Sequence, residues 1–139
     1  MSIIPNLMVS DMRRSVAFYR DILGMTVVVM VAADRSILAV DAAAEAVFTT
    51  LEWNGAQLML QTTESLAREL DAISPDHRPT ASGTVYFRGF DPDTVLGKLA
   101  PEQVLRGPLR QWYGMRELYL RDPDGYILCL GIPDGPPPA

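Results

Sequence analysis

The chain has 139 residues, 48% of them hydrophobic and 21% charged, and carries a net charge of −5. That length suits one domain, and the balance excludes a chain disordered throughout. A single cysteine and a single histidine exclude a disulfide framework and any zinc site built from Cys and His of this chain alone, while the lack of a basic stripe argues against a nucleic-acid partner.

The first residues, Met1 to Pro5, have no basic segment leading into an apolar one and do not read as a signal peptide. Residues 3–9 read as a short strand that begins or lies at an edge near Pro5. Ser10 reads as a helix cap, with Asp11 in the first turn. Met12, Val16, Tyr19 and Leu23 then follow at helical spacing, so a helix is expected over 11–23, ended by Gly24. Residues 25–33 are valine-rich and read as a strand. This longest apolar run falls far short of the ~20 residues that span a bilayer, so a cytoplasmic protein without a membrane partner is expected.

Residues 34–45 read as a loop with a partial strand around 37–40. A strand over 47–53 and its return over 56–61 flank Asn54-Gly55, a pair suited to a type I′ turn because both central residues need positive φ. Leu66, Leu70 and Ile73 mark a second short helix, and 75–79 is a loop. A strand over 84–88 leads to Asp91-Pro92, a cap followed by proline at the first helical position. Val95, Leu96 and Leu99 then give a weak helical face loosened by Gly97. A strand is expected near 102–106, and two more over 115–121 and 126–132 flank the turn Asp122-Pro-Asp-Gly125. The order strand–helix–strand–strand–strand thus occurs twice, with Asp11 and Asp91 at corresponding helix starts.

The run from Val9 to Gly24, with Ser10-Asp11-Met12, Phe18-Tyr19 and Leu23-Gly24, resembles the first strand–helix unit of the vicinal oxygen chelate superfamily. That superfamily contains glyoxalase I, extradiol dioxygenases and bleomycin-resistance proteins. The run from Trp112 to Tyr126, with Asp122-Pro-Asp-Gly125, resembles its closing hairpin. The resemblance implies an α+β fold of paired βαβββ modules, about 1–62 and 82–132 joined by 63–81, curved around a cleft. The Pro/Gly-rich segment 133–139 would form a flexible tail. It also implies a homodimer.

In the metal enzymes of this superfamily four strands each supply one ligand. Carried over residue by residue, those positions fall at Ile4, Met59, Thr84 and Cys129, with Gln57 or Gln61 as neighbouring registers. Isoleucine and methionine are poor ligands for a hard divalent cation, and a lone thiol does not make a site, so no metal or other cofactor is expected. Strand alternation instead places Asn6, Gln57, Met59, Gln61, Tyr86, Arg88 and Cys129 on the cleft face, with Trp53, Trp112 and Arg116 near the rim. Each has a plainer reading. On it Trp53 covers a strand end, Trp112 packs under the last hairpin, Arg88 and Arg116 pair with surface acids, Gln57 and Gln61 bond each other or water, and Cys129 is a small buried apolar group. His77, between two prolines, reads as an exposed loop residue.

The resulting expectation is a metal-free small-molecule-binding protein that sequesters or carries an organic, cationic or aromatic, antibiotic-like ligand. The alternative is a glyoxalase- or dioxygenase-type enzyme with an atypical metal site drawn from Glu52, Glu117 or the glutamines. A further alternative is a cleft given over to protein–protein assembly.

Overall fold

A computed structural model describes residues 1–136. The chain divides into two compact units, Met1–Pro79 and Thr80–Ala139. The chain as a whole is α+β and each unit is built on a mixed sheet, but both α-helices lie in the first unit, so the second departs from the expected βαβββ order.

The first unit contains strands β1 (Asn6–Val9), β2 (Thr26–Ala32), β3 (Ile37–Leu38), β4 (Ala46–Trp53) and β5 (Ala56–Thr62), and helices α1 (Met12–Ala17) and α2 (Thr63–Glu69). Its sheet order is β1-β5-β4-β2-β3, with β1 parallel to β5 and the other pairs antiparallel. Asp11 rather than Ser10 is the cap residue of α1, accepting from Arg14 N–H at 3.1 Å. The helix expected over 11–23 changes character midway: Phe18–Ile22 is a π-helical turn, with Leu23 N–H reaching Phe18 C=O at 3.3 Å. The wider turn accompanies burial of two successive aromatics, Phe18 and Tyr19, in edge-to-face contact at 5.0 Å. Periodicity alone does not reveal such a turn.

Alternation gives the sheet two unlike faces. Val9, Met30, Thr49, Leu51, Leu58 and Leu60 are buried on the face that carries α1, where Thr49 Oγ1 donates to Met12 Sδ at 3.3 Å. Burying each of those leucines contributes ~1.5–3 kcal/mol. The opposite face carries Asn6, Phe48, Met59 and Gln61. The hairpin turn fixes which residues go where: Asn54 and Gly55 have φ of +50° and +82°, and a two-residue loop pairs Trp53 with Ala56.

The second unit contains β6 (Thr84–Arg88), β7 (Val104–Arg110), β8 (Met115–Arg121) and β9 (Ile127–Pro133), in the order β6-β9-β8-β7, with β6 parallel to β9. Phe87, Leu118, Leu120, Leu128 and Leu130 are buried, as are Phe90, Pro92 and Val95 from the segment after β6. The helix suggested there reduces to two three-residue 3₁₀ turns, Pro92–Thr94 and Leu96–Lys98. Asp91 does cap the first, accepting from Asp93 N–H at 3.0 Å. Gly97 and the nearness of Pro101 leave no room for a stable α-helix. The strand expected at 102–106 begins after a 3₁₀ turn at Pro101–Gln103 and runs on to Arg110, through Gly107-Pro108. An edge strand tolerates that proline because no ladder N–H is needed on its outer side. Pro133, expected to open the tail, closes β9 opposite Met115. Residues 137–139 of the expected tail lie outside the described residues.

Candidate functional site

The open face of the first sheet and α2 border a cavity of about 590 Å³ that is open to solvent on one side. Val31, Val47, Phe48 and Met59 form its apolar walls, and Asn6 and Gln61 its polar part. β1 and β5 run parallel with Asn6 beside Met59 and Met8 beside Gln61, which brings the Asn6 and Gln61 amides together. Asn6 Nδ2 donates to Gln61 Oε1 at 3.0 Å. Gln61 Nε2 donates in turn to Ser65 Oγ at 2.9 Å and Glu69 Oε2 at 3.0 Å. Ser65 and Glu69 are four apart on α2, so both face the same point of the sheet. Thr62 fixes the start of that helix by accepting from Ser65 N–H at 3.3 Å. Gln61 is buried and its amide donors are satisfied, so it is rigid, whereas Asn6 is exposed. Arg35, at φ +70°, Arg68 and Glu69 add charge of both signs to the lining, with Arg68 also 3.4 Å from Glu64.

The open face of the second sheet carries a different cluster. Register places Tyr86 beside Cys129, Cys129 opposite Tyr119, and Arg88 beside Gly131, which is opposite Glu117. Glu117 is fully buried. Tyr86 Oη donates to its Oε1 at 2.7 Å, Tyr113 Oη lies 2.7 Å from both oxygens, and Tyr119 Oη is 3.4 Å from Oε2. Tyr86 crosses β9 to reach it. Gly131 makes that crossing possible, since a Cβ there would collide with Tyr86 Oη and stand 2.9 Å from its Cζ. Burial opposes ionisation of Glu117, but hydrogen bonds from Tyr113, Tyr86, Gln111 and Tyr119 outweigh it and hold the carboxyl below its ordinary range. Burial, the bond to Glu117 and its negative charge raise the Tyr86 phenol. For Tyr113 the bond to Glu117 is the larger cause of the same shift. Burial and the Glu117 charge push the Cys129 thiol up to about 11.

These residues do not fit a catalytic divalent metal. Of the four superfamily positions, Ile4 offers no donor, Met59 offers only a soft thioether, and Thr84 is an exposed hydroxyl registered with Ile127. Cys129 is buried in surroundings that disfavour its thiolate. Gln61 and Glu117 are engaged by side-chain donors and acceptors of the chain itself. Among the described residues no three His, Cys, Asp or Glu side chains gather as a ligand group.

Of the expected site residues, the cavity brings together Asn6, Met59 and Gln61. Gln57, opposite Glu52, lies beyond the lining, and Trp53 is half-buried beside the hairpin turn. In the second unit Tyr86 and Cys129 meet around Glu117, while Arg88 is exposed on the same strand as Tyr86. Arg116 pairs with Asp93 at 2.8 Å, the plainer of its two readings. Trp112 does not pack under the hairpin: it is 82% exposed, in edge contact with Tyr113 at 5.3 Å. From sequence, Glu117 stands out only as an alternative metal ligand, and nothing local marks its phenol partners. The available signal was alternation, which puts Glu117, Tyr119 and Cys129 on one face once β8 and β9 are paired.

The model of the Glyoxalase/Bleomycin resistance protein/Dioxygenase superfamily matches residues 4–130, and the chain belongs to that superfamily. Its fold is shared by a protein of unknown function from Agrobacterium tumefaciens, at TM-score 0.70 and 25% identity over 95% of this chain and 93% of that one. TioX from Micromonospora sp. ML1 is similar at TM-score 0.69 and 16% identity, over 95% and 98%. A glyoxalase/bleomycin resistance protein/dioxygenase from Nocardioides is similar at TM-score 0.66 and 19% identity, over 100% and 87%. No curated protein sequence matches the chain. No helix among the described residues is long and apolar enough to cross a membrane.

Proposed function

We propose that this chain binds a small organic molecule in the cavity of its first unit and sequesters or carries it without metal chemistry. Superfamily membership spans several chemistries and does not choose among them, so the residues must. One observation carries the reading: a cavity of about 590 Å³ in which an apolar wall meets a fixed amide pair, Asn6 and Gln61. That volume suits a drug-sized ligand, and such pockets pair apolar walls with a few orienting polar groups. Val31, Phe48 and Met59 would cover a flat or aliphatic body. The exposed Asn6 amide, held by the rigid Gln61, would orient one polar group of it.

A melting screen against a broad set of metabolites and antibiotics, run both with a divalent metal and with EDTA, tests this. A ligand at 100 times its Kd adds ~2.7 kcal/mol, or several degrees in Tm. The shift should shrink in Gln61→Ala and Met59→Ala proteins that circular dichroism shows to be folded. Ligand-induced shifts that vanish with EDTA, or that ignore both substitutions, would overturn the reading.

A further inference from the structure

We infer that the second unit holds a separate recognition site for an organic cation, formed by the ring faces of Tyr86, Tyr113 and Trp112 around the buried Glu117 carboxylate. This site stands on different residues from the cavity of the first unit and does not depend on it.

Glu117 is fully buried and its partners are phenols, which satisfy its lone pairs but bring no positive charge. Buried carboxylates are ordinarily paired with a cation. Among the described residues of this unit, Arg116 is taken by Asp93, Arg110 donates to Asp134 C=O, and Arg121 to Gly125 C=O, while Lys98 and Arg106 are exposed and neither acts on Glu117. Arg88 stands two strands away in the same register row, is exposed, and is not among the groups acting on Glu117. Among the described residues of this unit, the negative charge thus lies beneath aromatic side chains with no cation paired to it.

The aromatic geometry supplies the second half. Tyr86 and Tyr113 both place their hydroxyls 2.7 Å from the same Glu117 oxygen, so the two rings are tethered at their polar ends. Tyr86 nevertheless remains 42% exposed, and Trp112, edge-on to Tyr113, is 82% exposed. Phenols that donate to a carboxylate are more electron-rich, and a cation over their faces feels both the ring quadrupole and the charge behind it. An ammonium or other soft, weakly hydrated organic cation fits this surface. A small metal ion does not, because the carboxylate oxygens are already occupied by hydroxyl donors.

Choline and its uncharged isostere 3,3-dimethylbutan-1-ol are the probes, followed by the aromatic carbon–proton resonances of the whole chain at low ionic strength. Choline should shift Tyr86 and Trp112 signals and saturate, while the alcohol should bind about tenfold more weakly or not at all. Glu117→Gln should weaken choline about tenfold or more. Trp112→Ala, which removes an exposed side chain and does not endanger folding, should weaken it about two- to fivefold. Equal binding of choline and the alcohol, or choline affinity unchanged in Trp112→Ala, would overturn the inference even if Glu117→Gln fails to fold.

Discussion

Replacing Gly131 with alanine adds one methyl group to the second sheet, yet it should act through a side chain on a neighbouring strand. The new Cβ would collide with Tyr86 Oη, lie 2.9 Å from Tyr86 Cζ and 3.3 Å from Glu117 Cγ. The first two contacts are tighter than real Cβ contacts allow, so Tyr86 must swing away and its 2.7 Å bond to Glu117 is lost. A hydrogen bond to a charged group contributes ~1.5–3 kcal/mol, and residual crowding at Glu117 Cγ adds to the cost. Gly131→Ala should therefore destabilise by about 2–3 kcal/mol, or several degrees in Tm. The decisive form is a double-mutant cycle in urea. In a Tyr86→Ala background the clashing atoms are gone and only the 3.3 Å contact remains, so the same methyl should cost under ~1 kcal/mol. An equal cost in both backgrounds would refute the reasoning, because the methyl would then be acting on the backbone of β9 rather than through Tyr86.

Other consequences can be measured on the same protein. Glu117 is held below its ordinary value, so its contribution is fully present above its unfolded pKa of ~4.3 and is lost as pH falls through the lower folded value. Tyr86, Tyr113 and Cys129 are raised, so theirs is complete below the unfolded thiol value of ~8.5 and is lost as pH climbs, through about 11 for Cys129. The urea midpoint should plateau near pH 5–8 and fall on both sides, and Glu117→Gln should flatten the acid limb; an unchanged acid limb in that variant would contradict the assignment. Cys129 should resist a thiol reagent at pH 8 until urea unfolds the chain, since it is fully buried and its thiolate is disfavoured; stoichiometric labelling within minutes under native conditions would contradict this. Trp112→Ala should move the urea midpoint by no more than ~0.5 kcal/mol in stability, and a larger loss would mean that Trp112 packs where the structure exposes it.

Much of the fold was legible because local chemistry and topology agree. The helix start at Ser10-Asp11 was readable to within one residue, Asp11 rather than Ser10 being the cap; Asn54-Gly55 sets the hairpin, and Asp122 Oδ1 accepts from Asp124 and Tyr126 N–H at 2.9 Å in the closing turn. Alternation then carries Asn6, Met59 and Gln61 to one face. The segments that escaped are those where tertiary packing overrides local signal. The π-helical turn at Phe18–Ile22 leaves the spacing of apolar residues looking helical. Val95 is buried although its segment forms no α-helix. The Glu117 cluster was hardest to see, because alternation does not say whether a charged residue faces water or a neighbouring side chain. What decides it is the register that places a glycine between Tyr86 and Glu117, and register is long-range information.

The central claim is that an organic ligand occupies the cavity of the first unit without a metal. The methionine methyls provide direct probes of it: Met59 lines the cavity, whereas Met25 and Met30 are buried elsewhere in that unit. Titrating a melting-screen hit into methyl-labelled protein in EDTA should shift the Met59 resonance to saturation and leave Met25 and Met30 in place. A Met59 resonance unmoved by a saturating ligand, or a shift that appears only when a divalent metal is restored, would contradict the account.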